Sequence, residues 1–356
     1  MISQQRTAIL KGGGALDNAG DFMMRHVAIQ LIRSLGFETI YLVNHAEVPE
    51  ALSSLSNQID AIFVLGSIQF SDAWPVPTLQ ERIERSIRFH RHFPKAKVVF
   101  LPATWGAFEY RHREALSELV SDAVVLVRDR FSVECINGLL GKPIAEYCPD
   151  LAFIYPTTSS QTATPILQKI FKDTNKPLLG IIPNMRCVQR DVTPLRDPRD
   201  YFAFLAQFRD LAEAQGFNVV GISHMLDTTC DSVLLKDLNI PCIVSGSKPD
   251  TIRAIIASLT LCVCSRYHGV ISCMSHGIPT ISLGWHHKYH NLMNDFDLGI
   301  HHLSVGELPL DPTPHFNRLN ESKSEIRDKI SSDVAKAKQL ILTKVKSLGN
   351  YPFGVS

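Results

Sequence analysis

Hydrophobic positions along this chain fall into two alternating patterns. Short apolar runs bounded by polar or glycine-rich segments predict buried strands, and between them apolar residues recur at three- to four-residue spacing, which predicts helices. The predicted strands are 7–10, 38–43, 61–66, 97–101, 124–127, 145–148, 178–182, 218–222, 242–244, 261–264 and 280–283. Strands that alternate with helices are typical of parallel sheets covered by helices on both faces.

A polar, proline-containing segment at 155–162 interrupts this alternation and predicts a domain boundary. The chain has 356 residues, of which 45% are hydrophobic, enough for two separate cores. We therefore predict an α/β protein with two doubly wound, Rossmann-like domains that face a cleft, as in the glycosyltransferase-B arrangement. The predicted parts are an N-terminal domain at 1–156, a C-terminal domain at 163–310, and a helix at 321–347 that packs back on the first domain.

Composition narrows the function classes. The formal net charge is +1 and charged residues make up 20% of the chain, so no broad basic surface is available for nucleic acid. The 8 cysteines include no C-x-x-C pair, which favours a reducing cytoplasmic location. The N-terminus lacks the pattern of a signal peptide, and no apolar run approaches the roughly 20 residues of a membrane-spanning helix. The sequence leaves peripheral membrane contact open.

Polar side chains follow two neighbouring predicted strands of the second domain. Ser265, Arg266 and His268 come directly after the strand at 261–264, and Lys288 follows the strand at 280–283. Open α/β sheets bind ligands at the carboxyl ends of their strands, and a helix N-terminus there favours anions. The sequence predicts a phosphate or carboxylate site. The alternative is structural, with Arg266 paired to an interior carboxylate and His268 capping a helix.

The N-terminal glycine-rich segment, Lys11-Gly12-Gly13-Gly14, lies between a predicted strand and a predicted helix. The dinucleotide-binding pattern G-x-G-x-x-G cannot be placed on these glycines in register with the helix, and the Gly-Lys-Ser/Thr of a P-loop is missing. Glycines in such a position let a ligand or another backbone approach closely. Asp21, in the first turn of the helix, is either functional or a partner of the helix dipole.

Several short motifs together resemble those of the polysaccharide pyruvyl transferase family. They are Asn18-Ala19-Gly20-Asp21, Arg128-Asp129-Arg130-Phe131-Ser132, Pro149-Asp150-Leu151-Ala152-Phe153, Ser265-Arg266-Tyr267-His268, Gly277-Ile278-Pro279 and the later Lys288. Each motif is short, but their order and spacing over residues 18–288 match the family. The resemblance implies a transferase that forms cyclic pyruvate ketals on sugars, with phosphoenolpyruvate as co-substrate and no further cofactor.

The resemblance also implies roles for individual residues. We expect Arg186, Arg266, Lys288 and Ser265 to bind phosphoenolpyruvate, and His268 and Asp21 to act as acid and base. An imidazole can give or take a proton near neutral pH, which suits His268 to this task. The predicted acceptor-binding residues are Asn18, Gly14, Gln69 and Trp105. The expected acceptor is a saccharide, free or lipid-linked, of a cell-surface polysaccharide or its precursor.

Three other interpretations remain open at this point. A nucleotide-sugar glycosyltransferase could share the fold, although such enzymes often use a glutamate near the donor ribose and residues 263–288 contain no acid. A non-catalytic sugar- or phosphate-binding relative is the second. A metal site at His286, His287 and His290 is the third, but it lacks the H-E-x-x-H pattern, so we predict no metal.

Overall fold

The computed structural model describes residues 5–13, 18–44, 47–66, 68–71, 77–189, 195, 197–225, 231–243, 249–351 and 353, apart from the side chain of Gln69. The chain divides into two compact units. The first comprises residues 1–15, 23–155 and 337–356, and the second comprises residues 16–22 and 156–336. Each unit contains one parallel β-sheet with helices.

The first unit is built on a sheet of seven described strands in the order β2-β1-β3-β5-β6-β7, with β4 paired to β5. The strands are β1 Arg6–Gly12, β2 Phe37–Val43, β3 Ala61–Leu65, β4 Ile68–Phe70, β5 Lys97–Trp105, β6 Ala123–Val127 and β7 Ala145–Tyr147. All of these pairings are parallel. Strand β3 (AIFVL) is buried at every position, as expected for a central strand covered on both faces.

The second unit is built on a six-stranded sheet, also parallel throughout, in the order β10-β9-β8-β11-β12-β13. The strands are β8 Leu178–Ile182, β9 Asn218–Ile222, β10 Cys242–Ile243, β11 Leu261–Cys264, β12 Thr280–Gly284 and β13 His302–Ser304. Renumbered within the unit, this order is 3-2-1-4-5-6, that of the Rossmann fold. The chain leaves β8 and β11 in opposite directions, so the topological switch point lies between these two strands.

Helices connect the strands of both sheets. The α-helices are α1 Ala19–Ser34, α2 Glu50–Ser53, α3 Leu79–Arg91, α4 Arg113–Leu119, α5 Arg130–Leu140, α6 Thr164–Ile170, α7 Pro198–Ala214, α8 Asp231–Asp237, α9 Pro249–Ala257, α10 Tyr267–Ser275, α11 His287–Asp295, α12 Thr313–Glu321 and α13 Lys323–Gly349. The 3-10 helices are Tyr110–His112, Leu151–Ile154, Ser160–Ala163, Met185–Val188, Gly299–His301 and Val305–Glu307.

Local sequence explains where several helices begin and end. Thr78 and Glu81 form a capping box at the start of α3. The Asp129 carboxylate caps α5 by accepting the Ser132 N–H, and Gly141, with φ +69°, ends that helix in a left-handed conformation. These helix boundaries are therefore encoded in short-range signals.

The predicted α/β class with two Rossmann-like domains is confirmed, with some elements added. The segment after β3 contains the short strand β4, where the sequence predicted only a polar strand end. Strand β13 and helix α12 were also not predicted. Both are short, and β13 has only three residues, too few to show a hydrophobic period.

The two ends of the chain differ from a simple division into consecutive domains. Residues 16–22 belong to the second unit, although they lie within the range predicted for the first domain. Residues 337–356 belong to the first unit, where Lys344 forms an ion pair with Glu146 and the Phe353 ring lies 5.3 Å from that of Phe37. In the described residues, no helix is long and apolar enough to cross a membrane.

Candidate functional site

The carboxyl ends of β8 and β11 place two polar segments side by side at the switch point of the second sheet. Strand β8 runs into Pro183, Asn184, Met185 and Arg186, and β11 runs into Ser265–His268. The Ser265 N–H donates to the Ile182 carbonyl (2.8 Å), which extends the pairing of the two strands by one residue. Ligands of open α/β sheets bind at such a position.

Ser265 connects several elements around this site through hydrogen bonds. Its side chain is fully buried, its Oγ accepts the Tyr201 hydroxyl (2.9 Å), and its carbonyl accepts the Tyr289 hydroxyl (2.8 Å) and the Asn184 amide (3.0 Å). Burial raises the pKa of Tyr201 well above its ordinary value, so its hydroxyl stays protonated and can donate. The Ser265 side chain, which we predicted as a phosphoenolpyruvate ligand, is therefore buried and hydrogen-bonded within the protein.

Arg266 is held by an interior carboxylate. Its Nε (2.8 Å) and Nη2 (2.6 Å) both donate to Oδ2 of Asp231, the first residue of α8. The Asp231 side chain is 0% exposed, whereas that of Arg266 is 13% exposed. The structural alternative considered for Arg266 therefore holds for one edge of the guanidinium, while part of the side chain stays exposed to solvent.

His268 lies in the first turn of α10, buried against the Asn18–Asp21 motif. A Cβ added to Gly20 would lie 2.1 Å from His268 Nδ1, so the imidazole occupies the space that any other residue would need for its side chain. The Asn18 side chain accepts the Gly20 N–H (2.9 Å), and the Ala19 N–H donates to the His224 carbonyl (3.1 Å). Asp21 follows in the first turn of α1, partly exposed and in the same unit as His268.

His224, at the end of β9, is a component that sequence reasoning passed over. Its side chain is fully buried close to the positive charges of Arg266, His268 and Arg253. Burial, reinforced by these charges, lowers the pKa of His224 to about 3, so the imidazole is neutral at physiological pH. Its position just after a predicted strand was the only sequence signal.

Lys288 lies in the first turn of α11, 8% exposed. Its Nζ faces three aromatic rings, at 5.3 Å from the centroids of Tyr267 and Tyr289 and 5.4 Å from that of Trp285. Cation–π contacts of this kind stabilise an ammonium group away from bulk water. The position supports a cation at the end of β12, as the sequence predicted.

The other predicted site residues lie in more varied surroundings. Arg186 is exposed in the 3-10 helix after β8, where its Nη1 donates to Gln189 (2.9 Å). Trp105 is buried in the hydrophobic core of the first unit, with its ring centroid 4.6 Å from that of Phe70. That burial does not fit the acceptor-binding role predicted for its side chain. Gln69 contributes backbone to β4, its side chain lies outside the described residues, and Gly14 lies outside them altogether.

The histidine cluster considered as a metal site forms no recognisable ligand set. The His286 and His287 rings lie 4.0 Å apart, and the His290 ring lies 5.5 Å from that of His302. Over the described part of the chain, no group of three or more His, Cys, Asp or Glu side chains is arranged to hold a metal ion.

The comparison with protein families agrees with the motif order. The family model for polysaccharide pyruvyl transferase matches residues 18–287. The chain belongs to the polysaccharide pyruvyl transferase family. The match begins at Asn18, whose side chain accepts the N–H of Gly20 beside His268, and it ends one residue before Lys288. No curated protein sequence matches the chain.

Several solved structures of other proteins have a fold similar to that of this pyruvyl transferase family member. An Arabidopsis thaliana protein, UGT89C1, solved with quercetin, is 12% identical with a TM-score of 0.56, covering 97% of this chain and 99% of its own. A UDP-forming α,α-trehalose-phosphate synthase from Burkholderia xenovorans is 8% identical with a TM-score of 0.56, covering 99% and 100%. WaaG, a glycosyltransferase involved in lipopolysaccharide biosynthesis, is 10% identical with a TM-score of 0.51, covering 98% and 100%. At these identities the likeness establishes the glycosyltransferase-B-like fold alone.

The charged residues Arg128, Asp129 and Asp150 of the mid-chain family motifs are buried inside the first unit. Arg128 Nη1 forms an ion pair with Asp150 (2.7 Å) in which both side chains are 0% exposed, and its Nε donates to Thr104 (2.9 Å). Asp129 accepts the Thr104 hydroxyl (2.8 Å) and both the N–H and hydroxyl of Ser132 (2.8 Å each). These motifs connect β5, β6 and the following helices, which is a structural role.

Proposed function

We propose that this protein transfers the pyruvyl group of phosphoenolpyruvate to two hydroxyls of a saccharide and forms a cyclic ketal. The observation that carries the proposal is the Arg266 guanidinium, fixed along one edge by Asp231 and partly exposed at a Rossmann switch point beside His268. Family membership supports a transferase that acts on polysaccharide.

The charges around the site suit the donor. Phosphoenolpyruvate carries a phosphate and a carboxylate on the same carbon, and planar guanidinium groups bind either one through paired hydrogen bonds. Arg266 and Arg186 come from adjacent strand ends, and Lys288 comes from the next strand along the sheet. In the proposal these three cations bind the two anionic groups, and no cofactor is needed.

The chemistry requires one proton donor and one proton acceptor. A proton added to the methylene carbon makes the neighbouring carbon electrophilic, and a sugar hydroxyl attacks it while losing its own proton. A second hydroxyl then attacks the same carbon, the bond to the phosphate oxygen breaks, and phosphate leaves with the second proton. We assign the proton donation to His268 and the proton acceptance to Asp21, each worth about 10²–10⁴-fold.

The test is a donor and acceptor screen on the full chain. We expect incubation with phosphoenolpyruvate and a panel of free and lipid-linked saccharides to release phosphate and to yield a sugar of the mass expected for the ketal. Arg266→Ala should abolish turnover through loss of donor binding. Arg199→Ala, which removes an arginine that is 88% exposed, should leave it unchanged.

A parallel arm separates this function from its main alternative. We expect phosphoenolpyruvate to raise the melting temperature of the protein and nucleotide sugars to leave it unchanged, because a ligand stabilises the state it binds. Stabilisation by a nucleotide sugar with sugar transfer from it, and no ketal product, would overturn the proposal in favour of a glycosyltransferase.

A further inference from the structure

Asp231 joins the two segments that carry the predicted donor-binding arginines. Its Oδ1 accepts the Met185 N–H (3.1 Å) from the segment after β8, and its Oδ2 accepts Nε and Nη2 of Arg266 from the segment after β11. Residues 185 and 266 are far apart in sequence, and the carboxylate that bridges them comes from a third element, α8. No motif of the sequence indicates this residue.

The bridge determines which part of Arg266 is available to a ligand. The edge formed by Nε and Nη2 is occupied by Asp231. Within the described stretches of chain, Nη1 of Arg266 makes no hydrogen bond to protein, and the side chain is partly exposed. The guanidinium therefore presents the end that carries Nη1, and two hydrogen bonds prevent it from turning its other edge outward.

We propose that Asp231 is the positioning residue for donor recognition, holding Arg266 so that its Nη1 end meets an oxyanion of phosphoenolpyruvate, and this inference rests on the proposed function. Asp231 touches neither substrate nor reacting atoms. It acts through Arg266 and, by way of the Met185 N–H, also fixes the backbone next to Arg186. Because Asp231 offsets the charge of Arg266, the contribution of this arginine depends on its orientation as well as on its charge.

An asparagine cannot replace this carboxylate. Its side chain offers one acceptor oxygen and one donor NH₂, whereas Asp231 accepts N–H groups at both oxygens. In Asp231→Asn the NH₂ group must face either the Met185 N–H or the Arg266 guanidinium, so one of the two segments is released. Asp231→Glu keeps the charge, and therefore the counter-ion of Arg266, but displaces the carboxylate by one methylene.

The experiment compares steady-state kinetics of the full chain, wild type and variants. For Asp231→Asn we expect the KM for phosphoenolpyruvate to rise about tenfold or more, the scale of one charge-assisted hydrogen bond, with the acceptor KM within about twofold of wild type. Asp237→Asn removes an exposed aspartate from the other end of the same helix and should match wild type. If Asp231→Asn does not fold, Asp231→Glu provides the same test, with a smaller rise expected.

A double-mutant cycle separates positioning from general stabilisation. In an Arg266→Lys background, Asp231→Asn should change phosphoenolpyruvate affinity, measured by calorimetry, less than in wild type, because the part of its effect that passes through the guanidinium is already lost. An unchanged KM for phosphoenolpyruvate in the folded Asp231 variants, or equal effects in both backgrounds, overturns the inference while the proposed function stands. A wild-type chain that neither binds nor consumes phosphoenolpyruvate overturns both.

Discussion

Each unit of this protein places an arginine–aspartate ion pair just beyond a parallel strand, yet the two pairs differ in how completely they are enclosed. In the first unit Arg128 and Asp150 are both 0% exposed, and Thr104 takes a further guanidinium N–H. In the second unit Asp231 is equally buried, but Arg266 is 13% exposed and is bonded along one edge.

Enclosure distinguishes a structural motif from a functional one when both contain the same residue types. A buried pair whose hydrogen bonds are met by protein has nothing to offer a ligand, and it serves to join elements of the core. A pair in which only the acid is enclosed orients a cation toward solvent. By this criterion the mid-chain motif stabilises the first unit, and the Ser265–His268 motif is the one that fits the proposed donor site.

The strongest test exchanges each arginine for methionine and compares stabilities. Arg128→Met leaves the Asp150 carboxylate buried without its counter-charge, so we expect the free energy of unfolding to fall by about 3–5 kcal/mol. Arg266→Met leaves Asp231 with the Met185 N–H and with water that enters from the exposed side, so we expect a loss of about 1–3 kcal/mol. Urea denaturation measures both.

The affinity for phosphoenolpyruvate should show the opposite order of effects. Among molecules that remain folded, Arg128→Met should keep donor affinity and Arg266→Met should lose it. If Arg266→Met costs more stability than Arg128→Met, or if Arg128→Met weakens donor binding in the folded protein, enclosure does not distinguish the two pairs and the comparison fails.

Local signals in the sequence were sufficient for the architecture and for the segments at the sheet edge. Strands such as β8 and β11 are short, fully buried runs without charged residues, and Arg266, His268 and Lys288 follow soon after strand ends. Because parallel strands share one carboxyl edge, their end residues could be placed together without coordinates.

The partners of these residues could not be predicted, for a physical reason. Asp231, Tyr201 and Tyr289 reach the site from three different helices, and no spacing rule connects residues that meet only through tertiary packing. Trp105 shows the converse error. It follows an apolar run at a sheet edge, but strand β5 continues to residue 105 and buries its ring in the core.

A second test concerns the glycine that borders the site. Gly20→Ala would place a Cβ 2.1 Å from His268 Nδ1, so the imidazole must move. We expect kcat/KM to fall by about 10²-fold, since a displacement of about 1 Å in a reacting group can have this effect. Gly138→Ala, at an exposed position in the last turn of α5 with open space around it, should keep activity and gain about 0.5–1 kcal/mol of stability. Wild-type kcat/KM in Gly20→Ala would show that the His268 position is unimportant.

The weakest effect should come from pH, because each unit contains at least one histidine whose pKa is lowered by burial. Burial lowers the pKa of His90 in the first unit and of His224 in the second to about 3. An unfolded histidine takes up its proton near pH 6.5, so below that value the unfolded chain binds more protons than the folded chain. The stability contributed by each neutral imidazole is complete above pH 6.5 and declines as pH falls toward 3, by about 1.4 kcal/mol per pH unit at most.

Substituting each histidine in turn measures its contribution to the pH dependence of the unfolding free energy. Unfolding free energies between pH 7.5 and 5.5 should depend less steeply on pH in His224→Gln and in His90→Gln than in wild type, although His302, with a pKa lowered to about 4, retains part of the slope. The Lys11 charge beside His90 and the Arg266 and His268 charges beside His224 oppose protonation in the same direction. A wild-type slope in His224→Gln would mean that protons reach this imidazole in the folded state. Water would then reach the interior beside Arg266, and the second ion pair would be less enclosed than the burial of Asp231 indicates. Only the enclosure of the Arg128–Asp150 pair would then stand.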